Sequence, residues 1–165
     1  MSVPVQKPGR SRQDYQTPPE FISRVKMLLG ISEFTIDLAA STTNAQAPWF
    51  FSEEEDALKQ EWAYPGWGWL NPPFGRVGPW LEKAYMCESQ VAMLVPASVG
   101  ANWWADYVHH KALVLLLNGR LTFVGEKGPF PKDCALLLYN CYDTIGSRMI
   151  GYRMWEWKAE GELPR

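Results

Sequence analysis

The sequence predicts an α/β fold built on one mostly parallel sheet, and three observations carry that expectation. Short apolar or β-branched runs at 34–38, 67–70, 91–95 and 112–117 have the length and composition of strands. Segments with helical spacing lie among them, near 18–29, 79–87 and 103–108, so that strands and helices alternate as in a doubly wound sheet. The run 91–95 is apolar at every position and bounded by Pro96, which suits a central strand covered on both faces.

Composition narrows the class of protein. A length of 165 residues implies one domain, expected over 14–157, and 47% hydrophobic residues with 14% aromatic are ample for a packed core. Nine tryptophans are unusual in so short a chain; most are expected in the core, with some rings lining a surface that binds flat groups. A net charge of −2 and a pI near 5.7 argue against nonspecific coating of nucleic acid and leave room for a local basic face. Cys87, Cys134 and Cys141 have no metal-ligand spacing, so no metal site is expected, and no signal peptide or 18-residue apolar run is present. The chain is therefore expected to be soluble and cytosolic. Residues 1–13, with Lys7, Arg10, Arg12 and no acid, read as a flexible basic arm, with or without a role in contacting phosphates. Residues 158–165 read as a frayed tail.

Each element has a local reason. Thr17, Pro18 and Glu20 suit a capping box at a helix start, Phe21, Val25 and Leu28 share one helical face, and Gly30 stops the helix. The strand at 34–38 ends in Ala39, Ala40 and Ser41, small residues that let a ligand approach the backbone where ligands bind in open α/β sheets. Asp37 either caps that turn or, with Asn44, offers polar contacts to a ligand. Ser52 and Glu55 form a second capping-box pattern, which places the acidic run 53–56 at a helix N-terminus.

The strand at 67–70 empties into Asn71-Pro72-Pro73-Phe74. Each proline fixes its own φ and biases the preceding residue toward extended backbone, so the loop is rigid. The Asn71 amide oxygen, the Pro72 carbonyl and the face of Phe74 then make a receptor for a flat ring bearing an amino group; the plain alternative is a Pro-Pro turn. A helix is expected from Pro79, with Trp80, Ala84 and Cys87 on one face. His109 and His110 fall at the end of the helix near 103–108 without partners at ligand spacing, so they read as structural, and the lack of a serine-histidine-acid pattern argues against a hydrolase. Residues 118–133 carry Arg120, Lys127 and Lys132 among glycines and prolines and read either as a mobile hairpin loop near the active edge or as an ordinary strand connection. Residues 134–140 form the closing strand, and 145–157 an edge strand.

Asn71-Pro72-Pro73-Phe74 resembles the (Asp/Asn)-Pro-Pro-(Tyr/Phe/Trp) motif of S-adenosylmethionine-dependent amino methyltransferases, most closely the phage-type Dam family of DNA N6-adenine methyltransferases. Tyr15-Gln16-Thr17-Pro18-Pro19-Glu20 resembles the family's Thr-Pro segment, and Ile36-Asp37-Leu38-Ala39-Ala40 its first cofactor motif. Leu94-Val95-Pro96 and Gly119-Arg120-Leu121-Thr122-Phe123 also sit where that family has them, so the match runs over roughly 14–140 in consistent order. The resemblance implies a Rossmann-like methyltransferase fold with helices on both faces of a mostly parallel sheet and one antiparallel strand, at 134–140. It implies an adenine-specific DNA methyltransferase, phage or prophage encoded and acting in the bacterial host cytoplasm. Such an enzyme transfers a methyl group from S-adenosylmethionine to an adenine flipped out of double-stranded DNA, with GATC the target suggested by Dam-like enzymes.

On this resemblance Asn71, Pro72, Pro73 and Phe74 are catalytic. Thr17, Pro18, Asp37, Ala39, Ala40, Asn44, Asp56 and Leu58 face the cofactor. Arg76, Arg120, Lys127 and Lys132, with the basic arm, face DNA; no membrane and no obligate protein partner are implied. The chain departs from the glycine-rich fingerprint common among methyltransferases, with alanines where a G-x-G would stand. The alternatives are an RNA-adenine or protein-glutamine methyltransferase, an N4-cytosine DNA methyltransferase, and a catalytically silent DNA-binding remnant.

Overall fold

Why Trp67-Gly68-Trp69-Leu70 forms a strand is plain from its neighbours: it lies between two other strands and both of its faces are covered. The computed structural model describes residues 15–159, so the basic arm and the tail from 160 onward lie outside the described residues. The described chain runs α1 (Pro19–Leu29), β1 (Ile36–Asp37), β2 (Trp49–Phe50), β3 (Trp67–Leu70), α2 (Gly78–Met86), β4 (Gln90–Pro96), α3 (Asn102–Tyr107), β5 (Leu113–Leu117), β6 (Cys134–Tyr139) and β7 (Gly151–Trp155). Among these residues the strands form one seven-stranded sheet in the order β2-β1-β3-β4-β6-β5-β7.

Only β6 runs against the others, antiparallel to β4 and to β5. It is thus the one antiparallel strand, but it is inserted into the sheet rather than closing it. The edge is β7, parallel to β5, within the region expected to form an edge strand.

The period-2 alternation of the strands builds two cores. Val91, Met93 and Val95 of β4 pack on the side of α2 and α3, with Trp80, Leu81, Ala84 and Trp104. Ala92 and Leu94 face the other side, with Phe21, Ile22 and Val25 of α1. Helices therefore cover both faces, which is why the inner strands β3, β5 and β6 and residues 91–96 of β4 are apolar rather than alternating, whereas the edge strand β7 alternates. Seven of the nine tryptophans are buried, all but Trp49 and Trp103, as core packing requires.

Local signals and tertiary demands disagree at two helix starts. At the C-terminus of α1, Gly30 adopts a left-handed φ of 66°, and its N–H and that of Ile31 return to carbonyls of the last turn, the expected stop. At the N-terminus the expected capping box is absent: Pro18 is the N-cap, and no side chain caps the first turn. The Thr17 hydroxyl is committed elsewhere, as described below. At Ser52 the box does form, with the Ser52 N–H donating to Glu55 Oε2 at 2.9 Å and the Glu55 N–H donating to Ser52 Oγ at 3.4 Å. No helix follows it. Asp56 takes a left-handed φ of 49°. The N–H groups of Lys59 and Gln60 close only tight turns, onto the Asp56 and Ala57 carbonyls, and Trp62 Nε1 and Lys83 Nζ donate to the Ala57 and Leu58 carbonyls.

The segment 118–133 joins β5 to its antiparallel neighbour β6 and is thus the loop of a hairpin, with no strand of its own among the described residues. Its course is set instead by the buried side chains of Leu121 and Phe123 and by two backbone bonds. The Phe130 N–H donates to the Leu121 carbonyl at 2.7 Å, and the Val124 N–H donates to the Gln16 carbonyl at 3.0 Å.

Gly68 is the one position of β3 where a side chain cannot be accommodated. A Cβ built there would lie 2.3 Å from Tyr64 Oη and 2.6 Å from Cζ, and that ring is held by a bond from Oη to the Gln90 carbonyl. Replacement of Gly68 by Ala is expected to cost about 1–3 kcal/mol, the usual penalty of overpacking. Adding Tyr64→Ala should make the glycine replacement nearly neutral relative to that background, measured by chemical denaturation as a double-mutant cycle.

Candidate functional site

Because β1 and β3 are adjacent and parallel, the loops that follow Asp37 and Leu70 leave the sheet side by side at its carboxyl edge. The segment 15–17 crosses the same edge on its way into α1. Three stretches far apart in sequence thereby meet around a small polar cleft lined by Thr17, Asp37, Ala39, Asn44 and Asn71, among others.

Asp37 is 3% exposed. Its Oδ1 accepts the Ala39 N–H at 3.2 Å and its Oδ2 accepts the Gln46 N–H at 2.9 Å, so one carboxylate shapes the whole loop between them. Burial pushes its pKa up from the ordinary 3.8 to about 6, and the two N–H bonds limit the rise. Asn44 shapes the same loop, its Oδ1 accepting the Ser41 N–H at 2.7 Å. The two readings of Asp37 are thus compatible in space: it caps its own loop and also lines the cleft.

Asn71 holds the site together. Its Nδ2 donates to the Tyr15 carbonyl and to Thr17 Oγ1, each at 3.1 Å. A carbonyl can only accept, so the nitrogen of the amide must face Tyr15 and the oxygen must face away. Among the described residues no donor reaches Asn71 Oδ1. The Thr17 hydroxyl that could have capped α1 is used here, although a side-chain cap contributes about 1 kcal/mol to a helix.

On the other side of the Asn71-Pro72-Pro73-Phe74 loop lies a second cleft of about 470 Å³, lined by Tyr15, Phe74, Trp103, Phe123, Phe130 and Lys132, with Pro96 and Ser98 from the end of β4 and its loop. The rings form a cluster, with centroid separations of 5.4 Å for Phe74–Phe130, 6.1 Å for Phe74–Phe123 and 5.2 Å for Tyr15–Phe123. Tyr15 lines both clefts. The loop thus reaches from Asn71, which lines the polar cleft with its buried carboxylate, to Phe74, which lines an aromatic cleft suited to a flat ring.

Other residues singled out from the sequence are distributed unevenly. Pro18 and Pro72 are buried, Pro73 is half-buried, and the Ala40 N–H donates to the Phe51 carbonyl at 3.1 Å. Asp56 and Leu58 line neither cleft; Asp56 pairs with Lys59 at 3.0 Å, and Leu58 packs against the core on the α2 side. Arg76 is exposed at the end of the short 3-10 turn Phe74–Arg76. Arg120 is paired with Asp133 at 3.0 Å, Lys127 is exposed, and Lys132 lines the aromatic cleft.

Tyr15, Gln46, Phe123 and Phe130 belong to the clefts and were not expected there. Phe130 had a signal, an aromatic residue amid glycines and prolines in an otherwise polar loop; Gln46 acts through its backbone N–H and had none. His109 contacts Tyr152, its Nδ1 2.9 Å from Oη, and lines neither cleft. Among the described residues no group of His, Cys, Asp and Glu could hold a metal ion, and no helix is long and apolar enough to cross a membrane.

A mostly parallel sheet with one antiparallel strand, helices on both faces and a polar cleft at the carboxyl edge of β1 and β3 defines a methyltransferase-like α/β protein. The chain belongs to the DNA N-6-adenine-methyltransferase (Dam) family, whose sequence model matches residues 5–134. It is similar to a DNA N-6-adenine-methyltransferase of Escherichia phage T1, at 30% identity over 118 residues covering 70% of this chain and 49% of the relative. The chain thus spans about half the length of the curated relative it matches.

The raised pKa of Asp37 makes a prediction about stability. In the folded chain the group keeps its proton up to about pH 6, whereas in the unfolded chain it loses it near 3.8. Its contribution to stability is therefore full below 3.8 and is lost as the pH rises through 6. At 1.36 kcal/mol per pH unit the displacement corresponds to roughly 3 kcal/mol. Thermal unfolding of wild type and Asp37→Asn between pH 4 and 7 should show the variant gaining on the wild type across that window, whatever its offset at low pH. A constant difference across the window would contradict it.

Proposed function

We propose that this protein is a DNA adenine N6-methyltransferase that uses S-adenosylmethionine and acts on an adenine flipped out of duplex DNA. The observation that supports this reading best is the polarity of Asn71, an amide whose nitrogen is bonded within the protein and whose oxygen meets no donor among the described residues, on a loop that runs from the polar cleft to Phe74 in the aromatic cleft.

The residues of the polar cleft fit the charged part of the cofactor. Asp37 is a buried carboxylate with only backbone N–H partners, and a cation brought near it would favour its ionised form. Ala39 and Ala40 leave room beside the backbone in place of glycines. The cleft holds about 10 Å³ of free space, barely one water molecule, so admission of a nucleoside requires the 39–46 loop to move outward while Asn71 keeps its bonds to the 15–17 segment. When bound, S-adenosylmethionine supplies an electrophilic methyl group on a sulfonium.

An adenine within a duplex hides its amino group and has to leave the stack to react. Phe74, with the other rings of the aromatic cleft, offers it a stacking surface. Its amino nitrogen is a poor nucleophile because the lone pair is delocalised into the ring. Asn71 Oδ1 and the Pro72 carbonyl, each accepting one N–H, favour a pyramidal nitrogen and turn its lone pair toward the polar cleft. Rate acceleration then comes from orientation and from fixed dipoles, with no covalent bond to the protein. Asn71 carries no charge and cannot take up the proton, which leaves to water. Lys132 at the rim, with Arg76, Lys127 and Arg120 once released from Asp133, provides the cationic surface for the phosphates. GATC is the recognition sequence that Dam-like enzymes suggest.

Asn71→Ala is expected to retain cofactor and DNA binding while losing methyl transfer by on the order of 10² or more, as for removal of a preorganised contact in the transition state. Phe74→Ala should in addition weaken capture of the extrahelical base, by about 1–3 kcal/mol if stacking dominates, visible with 2-aminopurine fluorescence. Single-turnover transfer from tritiated cofactor to duplex DNA, with folded variants verified by circular dichroism, checks both. Near-normal transfer by Asn71→Ala would remove this loop from the chemistry.

A further inference from the structure

Thr17 does not do what its place in the sequence prepares it to do. It precedes α1 with Glu20 at capping-box spacing, yet α1 has no side-chain cap, and the hydroxyl, on a residue only 2% exposed, accepts a hydrogen bond from Asn71 Nδ2. The second Nδ2 bond goes to the Tyr15 carbonyl, and between these two acceptors the Gln16 carbonyl accepts the Val124 N–H. The 15–17 segment is therefore fastened to the catalytic loop on one side and to the 118–133 loop on the other.

We propose that Thr17 is a positioning residue for Asn71: the Tyr15 carbonyl selects which atom of the amide meets the substrate, and the Thr17 hydroxyl holds the amide in that orientation. This rests on the reading of Asn71 Oδ1 as the acceptor of the amino group. Rotation of the amide by half a turn would set Oδ1 against the Tyr15 carbonyl and present donors to a substrate that itself donates. The Tyr15 carbonyl, which can only accept, excludes that state, and the Thr17 hydroxyl adds a second bond that holds the amide in place. The same constraint makes this chain selective at its first motif position. An ionised carboxylate at 71 has no proton to give the Tyr15 carbonyl and would face its lone pairs, so Asp is not equivalent to Asn here even though the motif admits both.

The account differs from a role for Thr17 confined to the cofactor. A cofactor role predicts weaker cofactor binding with a normal rate at saturation; positioning of Asn71 predicts the reverse.

Three variants and two readouts test it. Thr17→Val keeps the shape and removes the acceptor, Thr17→Ser keeps the acceptor, and Asn71→Asp removes the donors. The first readout is the hydrogen exchange of the Asn71 side-chain amide by NMR, assigned by its disappearance in Asn71→Ala. The second is single-turnover methyl transfer to duplex DNA at saturating S-adenosylmethionine, with both dissociation constants measured separately. Thr17→Val is expected to speed the exchange tenfold or more and slow transfer tenfold or more, with dissociation constants within about threefold of wild type. Thr17→Ser should restore both, and Asn71→Asp should lose transfer a hundredfold or more.

Exchange and transfer within twofold of wild type in Thr17→Val would overturn the proposal, as would faster exchange with an unchanged transfer rate or a near-normal rate in Asn71→Asp. If Thr17→Val fails to fold, Asn71→Asp and the protection of the wild-type amide carry the test, and an unprotected amide overturns it. If the wild type transfers no methyl group to DNA, the functional reading fails instead, and the exchange rates alone decide whether Thr17 holds the amide.

Discussion

The site exists because β3 has to stop where it does. Its last residue, Leu70, pairs with Met93 of β4, and beyond it two successive prolines have no N–H to give to a parallel ladder. β4 has no such obstacle and continues to Pro96, supported from there by β6 on its other side. A short strand ending beside a longer one leaves a notch at the carboxyl edge of the sheet, and Pro96 and Ser98 form part of its wall. Asn71 to Phe74 are the residues that turn across this notch. The rigidity of the prolines and the full burial of β3 on both faces fix where they stand.

Around that notch, tertiary demands override local preference in a consistent direction. The Thr17 hydroxyl is drawn from a helix terminus to Asn71, and both Asp37 oxygens are committed to backbone N–H groups of the loop that closes the polar cleft. Each choice gives up something ordinary, a helix cap in one case and a solvated carboxylate in the other. Natural chains tend to break local rules where function needs it. The Ser52–Glu55 box shows that such departures also occur away from the clefts. There the box forms without a helix because Asp56 reverses the chain and the core supplies other partners for the carbonyls.

The parts legible in the sequence were those set by short-range pattern. The apolar run 91–95 of β4, the Gly30 stop and the strand that runs into Asn71 each follow from a few adjacent residues. β2 was not legible, since Trp49–Phe50 is only two residues long and lies at an edge without alternation. Nor was the insertion of β6 between β4 and β5, because no residue of 134–139 records which strands will flank it. The clefts divide the same way. Asn71, Asp37 and Phe74 announced themselves by residue type and position, whereas Tyr15 acts through a carbonyl and Gln46 through an N–H, which any residue but proline at 46 could supply. Asp56 and Leu58 stand apart from both clefts because the helix expected to carry them is absent.

The central claim is that the methyl group goes to the amino group of adenine in DNA, and the product itself is the most direct test. Duplex DNA incubated with the protein and S-adenosylmethionine bearing a labelled methyl group should, after digestion to nucleosides and mass spectrometry, carry the label as N6-methyldeoxyadenosine and depend on the protein for it. Label found only on cytosine N4, only in RNA or on protein glutamine when those are offered, or in no product at all, would contradict the account.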